Sequence, residues 1–262
     1  MTIVLNEHEW AKEMIRARSL GKKPFETLSR VARYYLDNRY PKKEVRKMLD
    51  AFLIQCDPTA SLAKWSDTID YALDRASKYK AIVIDSISIS KAEMDRIDSL
   101  PGKQTRRLAF TLLCLAKYWD LVNPNGDHWV NSKDCDIMRM ANIRTSIKRQ
   151  SLMYHNLSEE GVIQFSKKVD NTNIRVLFIS PGGDTAMEIT DFRNLGYQYM
   201  KFHGEPYIEC QNCGITTQIE HYNPARGNRQ KYCRECAAEI ALQQRINSVM
   251  RKRKRLSQNV ES

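Results

Sequence analysis

Four cysteines near the C-terminal end stand in two close pairs, Cys210-Gln211-Asn212-Cys213 and Cys233-Arg234-Glu235-Cys236, with 19 residues between the pairs. A thiolate is a soft ligand, and a C-x2-C knuckle aims two of them at one point. Two such knuckles close a tetrahedron with no open position, so this spacing predicts a structural zinc ion held by Cys210, Cys213, Cys233 and Cys236. The alternative for the same residues is free or redox-active thiols. His221 lies between the pairs and has the chemistry to replace one ligand. Cys56, Cys114 and Cys135 fall on apolar helical faces and read as buried fillers.

Catalytic signatures are absent from the sequence. There is no G-x-x-x-x-G-K-[ST] phosphate loop, no H-E-x-x-H and no G-x-S-x-G, and Gly182-Gly183 reads as a turn. His8, His128, His155, His203 and His221 are scattered, and none stands in an evident catalytic constellation with an acid or a cysteine. The expectation is a protein that is not an enzyme.

Charge points to a partner. The chain carries 42 Lys and Arg against 31 Asp and Glu, a formal charge of +11, which attracts polyanions over a range set by salt. Much of it is local, as in Arg251-Lys252-Arg253-Lys254-Arg255. Such a run is a solvated patch, a nuclear localisation patch or a non-specific phosphate clamp, and the clamp is preferred. No apolar run approaches the roughly 20 residues that cross a bilayer, and the N-terminus passes at once into Asn6, Glu7 and His8. With seven cysteines, an odd number, the expectation is a cytoplasmic protein in a reducing compartment, without a membrane partner.

The elements that must position these groups are mainly α with small β. Residues 7–79 repeat apolar positions at helical spacing: Leu28, Val31, Ala32, Tyr35, then Val45, Met48, Leu49, Phe52, then Leu62, Trp65, Ile69, Leu73, Ala76. Pro24 and Pro41 sit where helices start, Asp57-Pro58 marks a break, and residues 1–80 read as a helical domain. Residues 81–89 favour a strand or extended linker, and Ser90 with Glu93 fits a capping box. A long apolar helix follows over 103–122 and ends at Asn123-Pro124-Asn125-Gly126. Ser132 is placed to cap a short helix with Ile137, Met138 and Ala141, and a third helix over 145–160 stops at Gly161. Two short strands, 162–165 and 174–179, flank the turn-rich Asp170-Asn171-Thr172-Asn173. Residues 181–204 read as a connector, 205–255 as a zinc ribbon with a basic helical tail, and 256–262 as a disordered end.

Residues 90–180, in the order helix, helix, helix, hairpin, resemble a winged helix-turn-helix. The stretch from Tyr154 through Gly161 to Ile163 looks like the end of a recognition helix running into the first wing strand. The resemblance implies that Ile147, Tyr154 and Leu157 face the core and that Lys148, Arg149, Ser151 and His155 face outward. It implies that Thr145, Ser146, Lys148 and Arg149 open a helix that enters the DNA major groove, with Lys167, Lys168 and Arg175 of the wing on phosphates. Between Arg139 and Arg175 seven basic residues stand against three acidic ones, while Gln150 departs from the pattern at a turn where an apolar residue is expected. A winged helix used only for protein contacts is the alternative. With its zinc ribbon the chain is similar to winged-helix replication or regulatory proteins of bacteriophages and mobile elements. That likeness implies a DNA-binding replication organiser or initiator, or a transcription regulator, with double-stranded DNA and a host replication, transcription or defence protein as partners. A phage-encoded inhibitor of a host nucleic-acid enzyme or defence complex is one rival, and an unrecognised nuclease is another.

Overall fold

The computed structural model describes residues 3–123, 125–167, 173–180, 182–220, 222–223, 225 and 230–260, the last eight by backbone alone. The chain is mainly helical with small sheets. Among the described residues no helix is long and apolar enough to cross a membrane. Two compact units divide it.

The first unit holds residues up to Ser88 with Leu121–Asn123 and Met187–Phe192. Its helices are α1 (Glu7–Ala17), α2 (Pro24–Asp37), α3 (Lys42–Cys56) and α4 (Leu62–Lys78). Pro24 supplies the first residue of α2, where its missing N–H costs no bond, and Pro41 caps α3. Helix α2 packs against the other three, burying Leu28, Val31 and Ala32 among Leu49, Phe52, Ile69 and Leu73. Each such side chain contributes about 1.5–3 kcal/mol, so the periodicity alone accounts for much of the unit's cohesion. Glu7 is buried, and its carboxylate is bound by Arg30 at 3.1 Å and Arg33 at 2.7 Å.

The second unit holds Ile89–Asp120, Pro124–Ala186 and the chain from Arg193 onward. Strand β1 (Ile87–Ser90) leads into α5 (Lys91–Asp98), and the expected capping box is present: Ser90 Oγ accepts from Glu93 N while Glu93 accepts from Ser90 N. Helix α6 (Lys103–Val122) is buried without interruption from Leu108 to Ala116 and forms the core. Then come β2 (Trp129–Val130), α7 (Asp134–Met140), α8 (Ile147–Glu159), β3 (Ile163–Phe165) and β4 (Ile174–Val176). The three strands form an antiparallel sheet in the order β2-β4-β3, with Arg175 opposite both Trp129 and Gln164. The turn between β3 and β4, expected at 170–173, lies outside the described residues except for Asn173.

Strand β5 (Thr185–Ile189) pairs with β1, and α9 (Leu195–Phe202) follows, so residues 181–204, read from sequence as a connector, carry two elements. The hairpin β6 (Tyr207–Glu209) and β7 (Thr216–Gln218) precedes α10 (Arg234–Val260). Three expectations are corrected. Ser132 does not cap α7; the cap position is Lys133, because extended chain runs on beyond β2, and no side-chain bond is made there. The backbone of 256–260 continues α10 instead of fraying. Cys135 is exposed in the first turn of α7, whereas Cys114 is fully buried and Cys56 half-buried.

Candidate metal centre and nucleic-acid interface

The first knuckle is a turn at the end of the β6–β7 hairpin. Gly214 N donates to Cys210 O at 2.9 Å and Cys210 N to Ile215 O at 3.0 Å. Gly214 adopts φ +73°, which a residue with a Cβ rarely takes, so the turn depends on glycine here. The second knuckle is the start of α10: Cys233 precedes the helix, Cys236 lies in its first turn, and Cys236 N points at Cys233 Sγ at 3.5 Å. Gln211 N donates to Lys231 O at 2.9 Å and joins the two knuckles.

The four Sγ atoms lie within 4.8 Å of one another, so this cluster can hold a metal ion. Sulfur atoms each about 2.3 Å from a central ion would sit about 3.8 Å apart at tetrahedral corners. Cys213 and Cys233 stand at 3.8 Å. Asn212 Nδ2 donates to Cys236 Sγ at 3.3 Å, the kind of outer bond that orients a thiolate. Burial acts to raise the Cys210 thiol, but backbone N–H groups of Cys233, Cys213 and Asn212 outweigh it and bring it down to about 6. Burial, with the hydrogen bonds shared among the sulfurs, pushes Cys213 up to about 12. A divalent cation reverses that second shift by taking the place of protons. His221 lies outside the described residues.

Helix α8 has two halves. Its C-terminal half buries Met153, Tyr154 and Leu157 against the body of the unit, while Ser146, Lys148, Arg149, Ser151 and His155 are exposed, as expected for an outer face. Ser146 is the N-cap, accepting from Arg149 N at 3.4 Å. Ile147 is the correction: it is 81% exposed instead of buried, because it lies in the opening turn of α8, where Ile147, Lys148 and Arg149 are all exposed. Met153, not among the residues expected in the core, is buried beside Tyr154 and Leu157. Gln150 is half-buried and donates to the carbonyl of half-buried Thr145 at 3.1 Å, which explains a polar residue at this turn.

The remaining predicted phosphate contacts separate. Lys167 is exposed, and Lys168 lies outside the described residues. Arg175 is committed within the unit, its guanidinium bound to the Asp127 carboxylate and its Nε donating to Asp127 O at 3.2 Å. Arg251 and Lys252 are exposed on α10, and Arg253, Lys254 and Arg255 continue its backbone. Sequence reasoning passed over exposed Arg144, two residues before the α8 cap, and a shallow cavity of about 300 Å³ that Arg149 and Leu152 line with Lys103 and Gln104 of α6. Arg144 had a signal, a cation just ahead of a helix start; the cavity depends on tertiary packing and had none. The chain matches no protein-family model, no curated protein and no solved structure.

Proposed function

We propose that this chain is a non-enzymatic DNA-binding protein, a replication organiser or initiator or a transcription regulator of the bacteriophage type. In this reading a winged helix-turn-helix formed by α6 to β4 reads the duplex and a zinc ribbon, with Zn²⁺ on Cys210, Cys213, Cys233 and Cys236, supports it. The observation that carries the reading is the start of α8, where Lys148 and Arg149 are exposed with Ser146 and Ser151. A helix built this way offers its first turns to base edges in a groove. The sheet order β2-β4-β3 supports it, since β2 ties the hairpin to the connection between α6 and α7. The test is a mobility shift with random duplex DNA, with and without Mg²⁺. Retarded intact duplex is the expected result; no retardation overturns the reading, and loss of labelled DNA in Mg²⁺ turns it into a nuclease.

A second reading has its own observation. Ile147 and Leu152 leave apolar surface exposed beside those cations, 81% and 56%, which suits a protein surface better than phosphate. In that reading the chain inhibits a host nucleic-acid enzyme or defence complex. Ile147→Asp separates the two: it abolishes a protein contact but leaves non-specific DNA retardation in place.

A further inference from the structure

The first unit contains a cavity of about 620 Å³ whose purpose the DNA reading does not touch. One wall is α2, where Glu26, Ser29, Arg30 and Arg33 recur on a single helical stripe. Arg75 of α4 and the segment from Tyr79 to Ile84 supply the rest used here. The volume falls in the range of about 300–1,000 Å³ typical of small-molecule sites.

The wall is cationic and incompletely bonded. Arg30, Arg33, Arg75 and Lys80 face two carboxylates, Glu7 and Glu26, and Glu26 is already bound by Lys23 at 3.1 Å. Arg75 lies over the Phe25 ring at 5.6 Å and has no ion pair among the described residues. Ser29 is 2% exposed, yet its Oγ has no hydrogen-bond partner, forgoing even the bond that a helical serine often makes to the carbonyl four residues back. Arg33 Nε is likewise buried without a partner, although Glu7 holds its Nη1. Buried donors are almost always satisfied, and two orphans lining one cavity mark where an acceptor is missing. Burial lowers the Arg33 pKa, with Arg30 and Arg75 acting the same way against Glu7 and Asp37; the charge of an anion would oppose that shift. In the same lining Tyr79 and Val83 are 65% and 52% exposed and offer an aromatic and an apolar surface.

From Ser29, Arg33, Arg75 and Tyr79 lining one cavity, we propose that the first unit binds a phosphate-bearing small molecule of nucleotide size. Arginine forks grip phosphate oxygens in pairs, Ser29 Oγ donates to one more, and the flat body of the ligand lies on Tyr79. The site is independent of α8 and of the cysteine cluster.

The test is calorimetric titration of the full chain with AMP, ATP, inorganic phosphate and adenosine. The expected result is saturable nucleotide binding, weaker phosphate binding and none by adenosine. Arg75→Ala and Ser29→Ala each weaken AMP by about tenfold or more, as for loss of a hydrogen bond to a charged group. Lys47→Ala, an exposed cation elsewhere in the unit, leaves it unchanged. Arg75 is exposed and Ser29→Ala is small, so both variants keep the fold, checked by circular dichroism. No nucleotide binding at millimolar concentration overturns the proposal. So does binding that Arg75→Ala spares, binding that Lys47→Ala weakens equally, or equal competition by a dicarboxylate.

Discussion

Gly196 presses on the main chain of Ala141, where a Cβ on Gly196 would lie 2.0 Å from the Ala141 carbonyl oxygen. Beside this contact Asn142 Nδ2 donates to Asn194 Oδ1 at 2.8 Å, Tyr197 N donates to Asn142 Oδ1 at 3.1 Å, and Asn194 Nδ2 donates to Thr216 O at 2.9 Å. Helix α9 is thereby keyed between the end of α7 and strand β7. Gly196→Ala should cost about 1–3 kcal/mol or more, since backbone has to move. Thermal denaturation should show the midpoint falling by several degrees, about 2–4 °C for each kcal/mol. Ala141→Gly should not rescue it, because the obstruction is a carbonyl and not a side chain.

Glu93 is fully buried, and it accepts from Lys117 Nζ at 2.6 Å, Ser90 N at 2.8 Å and Ser180 N at 2.9 Å. Lys117→Met leaves that carboxylate uncompensated and should cost about 3–5 kcal/mol. Adding Glu93→Gln removes the charge but keeps an acceptor for only one of the two amides, which meet different carboxylate oxygens, so it should restore only a part. Urea denaturation reads both values; a Lys117→Met protein within about 0.5 kcal/mol of the parent, the range of ordinary surface changes, would remove the buried pair from the account.

Zinc should be present at about one ion per chain and should supply part of the folding energy of residues 205–240. Cys233→Ser should reduce bound metal and raise amide exchange in that segment. Acid should release the ion as well: its ligands must be thiolates, and Cys213 holds its proton well above the ordinary range until the cation displaces it, so affinity falls as pH falls. Elemental analysis of protein purified without chelator decides the matter, and an absence of zinc refutes it.

Affinity for duplex DNA should fall linearly in log–log form with salt, by about 0.9 for each phosphate neutralised. Replacing Arg251 to Arg255 with alanine should shallow that slope on every sequence alike. Arg175→Ala should leave the slope almost intact and lower stability instead, because its guanidinium is held by Asp127. A flat salt profile for the parent protein removes the phosphate clamp.

Specificity should reside in α8. Arg149→Ala should cost about 1–3 kcal/mol at a preferred site and relax the base preference there, as for loss of a bidentate guanine contact. Lys148→Ala should weaken preferred and random DNA equally, and selection from random oligonucleotides should return the parent motif. If both variants bind like the parent, the inhibitor reading gains and the groove-reading one fails.

What the sequence disclosed was local. The capping box needs only Ser90 and Glu93 three residues apart, the cysteine cluster only two short knuckles, and α2, α3 and α4 only a period of apolar residues. What it concealed was tertiary. Residues Trp129 and Val130 form a strand only because β4 lies alongside, and two residues carry no periodicity. Helix α9 is marked by Gly196, which reads as a helix weakener until Ala141 is seen beside it. Ile147 has the right spacing to Tyr154 for a core position, but spacing cannot tell that burial on α8 begins only after its opening residues, Ile147 to Arg149.

Among the described side chains, helix α10 gains no tertiary packing beyond half-buried Ile240; residues 241–252 are all exposed. From Arg234 to Arg251 it rises about 25 Å at 1.5 Å per residue, three-quarters of a turn of B-DNA. The cysteine cluster therefore anchors an outrigger, and its stiffness rests on helix–coil balance alone, which is marginal for an unpacked segment and weakens on warming. While the helix holds, the reach of the basic charges is a fixed length; once it melts, the same charges sample a sphere about the knuckles, which under the proposed DNA-binding function trades register on the duplex for a higher frequency of encounter.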